Sequence, residues 1–65
     1  MTTSGIIHSL SCLARDEGRA TAWSVAERWY ATLEEMAEVA ITTPEQLEAI
    51  NVLTTTIEAW GKQNI

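Results

Sequence analysis

Phenylalanine is absent from this chain, cysteine, proline and histidine occur once each, and only four side chains carry a fixed positive charge. The single cysteine, Cys12, excludes an intramolecular disulfide, and with one histidine beside it the chain is poorly equipped for a structural zinc site. Long apolar runs are missing too. The stretch around Ile6, Ile7 and Leu10 is broken by His8, Ser9 and Ser11, well short of the ~20 residues that span a membrane. Met1-Thr2-Thr3-Ser4 has no basic region, so neither a signal peptide nor a membrane span is expected. The chain is placed in the cytosol, where Cys12 stays reduced.

The shortage of cations is uneven along the chain. Net charge is −5, and residues 29–65 carry all of it, with Lys62 against Glu34, Glu35, Glu38, Glu45, Glu48 and Glu58. In residues 1–28, Arg15, Arg19 and Arg28 balance Asp16, Glu17 and Glu27. An acidic surface repels phosphate backbones, which disfavours direct binding to nucleic acid.

The composition, 46% hydrophobic and 20% charged, is that of a folding chain rather than a disordered one. At 65 residues it forms one helical domain, 1–65, and a domain of this size buries only ~60% of the surface that its unfolded chain exposes. Small folds compensate with disulfides, a metal or self-association. Self-association into a homodimer or higher oligomer is the route expected here.

Apolar periodicity supplies the architecture. Ile6, Ile7, Leu10, Leu13 and Ala14 predict a short helix over residues 4–15, with Ser4 as N-cap. Gly18 interrupts it, either as a break or as a kink in one longer helix. Ala22, Ala26, Trp29, Leu33, Met36 and Ala40 then recur at spacings of four and three, predicting a helix over 20–41 that starts between Arg19 and Ser24, with Ser24-Val25-Ala26-Glu27 matching a capping box and Thr21 or Asp16 as earlier cap candidates. Thr42-Thr43-Pro44 marks a turn. Thr43 and Gln46 form a second capping box, and a third helix is expected over 44–62 with Leu47, Ile50, Leu53, Ile57 and Trp60 on its seam. The predicted fold is all-α: a short N-terminal helix plus a long antiparallel helical hairpin, assembled as an oligomeric bundle. Trp29, Leu33, Met36, Leu47, Ile50, Leu53, Ile57 and Trp60 are the expected core and oligomer residues. Ala49, Val52 and Ala59 widen the third helix's apolar stripe beyond what one neighbour can cover, so the first helix or a second copy must supply another surface.

No catalytic, metal or nucleotide motif stands out, and the chain is read as a non-enzyme without cofactors. His8, Cys12 and Asp16 are spaced to share one helical face, yet a cysteine nucleophile also needs an oxyanion site, and Cys12 is read as a small packed residue and His8 as a surface or interface polar group. Leu13 to Trp23 superficially matches a helix-turn-helix, but its two arginines are offset by Asp16 and Glu17. Trp23 and Tyr30, on the flank of the second helix's stripe, suit a surface buried only on binding. Glu27, Glu34 and Glu38 are expected to face the opposite way as a solvated acidic ridge that could also engage a basic partner.

Thr43-Pro44-Glu45-Gln46, Ala49-Ile50, Leu53, Ile57, Trp60 and Ile65 together resemble the second half of the helical hairpin in small phage proteins that sequester cyclic nucleotides of bacterial immune signalling. The similarity covers about a third of the chain. Trp60 is followed here by Gly61-Lys62-Gln63-Asn64 rather than by small residues and an Asn, and the family's ligand-proximal N-terminal motif is absent, so no ligand contact carries over. The resemblance implies a small oligomeric phage-type protein acting against host machinery. The first expectation is thus an acidic interaction module that binds or inhibits a host or regulatory protein through Trp23, Tyr30, Glu27, Glu34 and Glu38. The alternative is a nucleotide-binding sponge using Arg15, Arg19, Arg28 or Lys62, and a DNA-binding regulator comes third.

Overall fold

In the computed structural model, which describes residues 2–39 and 43–65, three α-helices follow one another: α1 (Thr3–Glu17), α2 (Arg19–Ala37) and α3 (Pro44–Asn64). Thr2 opens α1, its hydroxyl accepting from the Gly5 backbone N–H at 3.0 Å. The cap therefore lies two residues before the expected Ser4, which sits inside the helix. Glu17 ends α1 and Gly18 alone separates it from α2. Gly18 donates to the Ala14 carbonyl at 3.1 Å and accepts from Ala22 at 3.1 Å, so one residue closes the first helix and opens the second. Its φ of 95° and ψ of 156° lie in a region open essentially only to glycine. That conformation makes a break rather than a kink.

The Ser24 capping box does not form. Ser24 lies within α2, and the helix starts at Gly18 without a side-chain cap. At the other end α2 stops at Ala37, where Glu38 donates to Glu34 and Glu35 carbonyls at 3.2 Å, four residues before the expected limit. Ala40, Ile41 and Thr42 lie outside the described residues. The second capping box is present in full: Thr43 Oγ1 accepts from Gln46 N at 3.2 Å and Gln46 Oε1 accepts from Thr43 N at 3.0 Å. From there α3 continues two residues beyond the expected Lys62. The β-branched run Thr54-Thr55-Thr56 is accommodated partly by its own hydroxyls, Thr54 donating to Asn51 O at 3.0 Å and Thr56 to Val52 O at 2.8 Å.

The helices, of 15, 19 and 21 residues, pack as a three-helix bundle rather than as a short helix beside a hairpin. Thr2 and Thr3 share a cleft with Ala49, Val52 and Leu53, while the Trp60 indole N–H donates to Ser11 Oγ at 3.3 Å, so α1 runs parallel to α3. Leu33 meets Ile50 and Trp23 meets Gly61, so α2 runs antiparallel to both. The result is a rod 38 Å long and 18 by 17 Å across. Its core is Ile6 and Leu10 of α1, Ala22, Ala26 and Leu33 of α2, and Ile50, Ile57 and Trp60 of α3. Ile6, Leu10 and Ile57 are the largest side chains fully removed from solvent. The first helix is thus the second surface that α3 requires.

Where α1 does not reach, the expected seam opens to solvent. Met36 is 51% exposed and Leu47 37%, because α1 begins at the level of Ala49 to Leu53 and leaves the α2–α3 loop end uncovered. Trp29 and Leu53 are half-buried against the core. Among the described residues no buried side chain is polar, and no described helix is long and apolar enough to cross a membrane.

Candidate partner-binding groove

Trp23, Glu27, Tyr30, Ala31 and Glu34 fall at i, i+4, i+7, i+8 and i+11 along α2, a spacing that aligns them as one stripe. With Ile57 and Glu58 of α3 they line a groove of about 260 Å³. The acidic ridge and the aromatic flank expected to point apart are therefore largely one surface. Four of the five expected contact residues meet there. Glu38 does not: it caps the C-terminal end of α2 and is exposed.

Each aromatic ring is held by a residue of α3. A Cβ on Gly61 would run into the six-membered ring of Trp23, so the indole rests on a bare α-carbon, and only glycine permits that approach. The Tyr30 hydroxyl donates to Glu58 Oε1 at 2.6 Å, a short bond strengthened by the carboxylate's charge. That bond raises the Tyr30 pKa above 10.0, because ionisation would remove the donor; burial adds to the rise, and repulsion from Glu58 and Glu34 acts the same way.

Glu58 and Gly61 were not singled out from the sequence as contact residues. Their positions on α3, one turn apart, are ordinary there, and only the packing of α2 across them gives them a role. Among the described residues the only ion pair is Arg15 Nε with Asp16 Oδ1 at 3.2 Å, on α1. Glu27, Glu34 and Glu58 therefore line the groove without forming an ion pair among the described residues.

The remaining sequence candidates do not converge. Cys12 Sγ lies 3.7 Å from His8 Nε2, but Asp16, the third member of that row, is engaged by Arg15. Among the described residues no group of three His, Cys, Asp or Glu side chains is placed to hold a metal ion. A second concavity, about 490 Å³ and mostly apolar, lies at the loop end between Leu33 and Met36 of α2, Val39 just past its end, and Ala49, Ile50 and Leu53 of α3.

No protein-family model, curated protein or solved structure matches this chain.

Proposed function

We propose that the protein is a small non-enzymatic interaction module that self-associates and binds or inhibits a host or regulatory protein in the cytosol. An anti-defence role in a phage or mobile element fits the resemblance of its second half to nucleotide-sequestering phage hairpins. The observation that carries the interaction reading is the groove, in which Trp23 and Tyr30 stand beside Glu27 and Glu34. Aromatic side chains with a polar handle are rich in binding energy, and complementary charge accelerates encounter with a basic partner. Self-association has separate support in the exposed apolar side chains Met36, Val39, Leu47 and Val52.

The same surface speaks against a nucleotide held there, because carboxylates repel phosphate and no arginine lines the groove. Affinity capture from a bacterial lysate, with mass spectrometry of the protein and small-molecule fractions, tests the reading. A protein retained by the native chain and lost from a Glu27→Gln, Glu34→Gln double variant is the expected result. A nucleotide recovered instead, with retention lost on Arg15→Ala, Arg19→Ala or Arg28→Ala, would replace the interaction module with a sponge.

A further inference from the structure

The groove joins two aromatic rings, Trp23 and Tyr30, to three carboxylates that form no ion pair among the described residues. Glu27 and Glu34 come from α2 and Glu58 from α3, so carboxylates from two helices surround Trp23 and Tyr30. Like charges gathered on a partly apolar wall repel one another, and a cation seated among them relieves that repulsion. Lys62 lies one turn beyond Glu58 and lines an adjoining concavity that shares Trp23 and Glu58 with the groove, but it forms no ion pair with Glu58 and does not line the groove itself. Glu27 and Glu34, which form no ion pair among the described residues, are left open to a cation from a partner.

Size and shape narrow the choice of cation. At about 260 Å³ the groove is smaller than the ~300–1,000 Å³ typical of small-molecule pockets, and suits the end of one long side chain. A guanidinium is planar, stacks on aromatic rings and forks towards carboxylates, whereas an ammonium is a strongly hydrated point charge. The rings are also held in advance of binding, Trp23 by Gly61 and Tyr30 by Glu58, which lowers the entropy lost when a ligand arrives.

We infer that this groove takes an exposed arginine side chain of the partner protein, the guanidinium lying against Trp23 and Tyr30 and paired with Glu27 and Glu34. The assignment rests on the interaction-module reading and names its contact chemistry.

Three peptides of one sequence, alternating glycine with arginine, lysine or citrulline, separate the contributions of shape and charge. Citrulline keeps the planar arginine outline without its charge. Binding is read from the indole N–H resonances of the three tryptophans, the Trp23 signal being assigned with a Trp23→Phe variant. The arginine peptide should shift the Trp23 signal saturably and bind about two- to fivefold more tightly than the lysine peptide, the margin expected of a guanidinium over a ring at an exposed site. The citrulline peptide should give no saturable shift. Glu27→Gln with Glu34→Gln should abolish the arginine response while leaving the circular dichroism spectrum unchanged, since both side chains are exposed and glutamine keeps their size. Equal binding of arginine and citrulline peptides overturns the assignment, as does a Trp23 shift that survives in the double variant. Absence of any saturable shift overturns it as well, and the interaction-module reading then stands or falls separately on whether lysate capture of a protein depends on Glu27 and Glu34.

Discussion

Tyr30 and Glu58, 28 positions apart in sequence, meet in a 2.6 Å hydrogen bond that ties α2 to α3 beside the candidate groove. The bond fixes the phenol ring and holds one carboxylate oxygen in place. It also gives a titration by which the groove's geometry can be checked in solution.

Tyr30 is the only tyrosine, so tyrosinate absorbance reports it alone. Its midpoint should lie above 10.0 in the native chain and fall back towards that value in Glu58→Ala, which removes both the acceptor and the charge. Because the folded pKa is raised, the bond's contribution to stability is complete below the unfolded pKa and is lost as pH rises through the folded one. Alkaline titration of the melting temperature should therefore show a steeper decline for the native chain than for Glu58→Ala. Coincident titrations in the two proteins would mean that the bond is not formed in solution.

Gly61→Ala should be destabilising by about 1–3 kcal/mol, the usual cost of overpacking, because the added methyl group enters the volume held by the Trp23 ring. Chemical denaturation followed by circular dichroism measures the loss. Tryptophan fluorescence of the folded variant should change at the same time, since the indole must move to make room. An unchanged midpoint and spectrum would show that Trp23 does not rest on Gly61.

At Gly18 the expected penalty has a different origin. A Cβ there meets nothing within 4 Å, yet φ of 95° with ψ of 156° is strained for any L side chain, so Gly18→Ala should cost about 1–3 kcal/mol through the backbone alone. Thermal melts can separate the two glycines: with Trp23→Ala as background, the Gly61→Ala penalty should shrink and the Gly18→Ala penalty should not.

In the core, Leu10→Ala and Ile57→Ala should each cost about 2–5 kcal/mol, because both side chains are fully buried. Glu34→Ala, on an exposed position, should stay within about 0.5 kcal/mol. Melts ranked in the opposite order would contradict the packing of α1 into the bundle.

Local rules made part of this molecule readable from its residues. The Thr43–Gln46 box is a signal complete within four residues, and Ile50, Ile57 and Trp60 follow the helical period closely enough to mark the buried face of α3. Ser24 failed as a cap because the start of α2 is set by the backbone of Gly18, and an isolated glycine does not announce its φ and ψ. The exposure of Met36 and Leu47 depends on how far α1 extends along its neighbours, which is a tertiary property. The groove was half legible. At 100° per residue, Tyr30, Trp23, Glu34 and Glu27 fall within about 60° of one another, so periodicity alone places them on one stripe rather than on opposite faces. Glu58 and Gly61 complete the site from α3, and no spacing within α2 points to them.

The central claim is that partners bind at the groove, and site-specific photocrosslinking tests it most directly. A photoreactive amino acid at Ala31, an exposed residue lining the groove, is compared in bacterial cells with the same group at Asn51, an exposed residue of α3 outside it. A discrete protein adduct should form from position 31 and not from position 51, and should disappear when Glu27→Gln and Glu34→Gln are combined with it. An adduct from position 51 with none from position 31, or one from position 31 that persists without the two carboxylates, would contradict the claim.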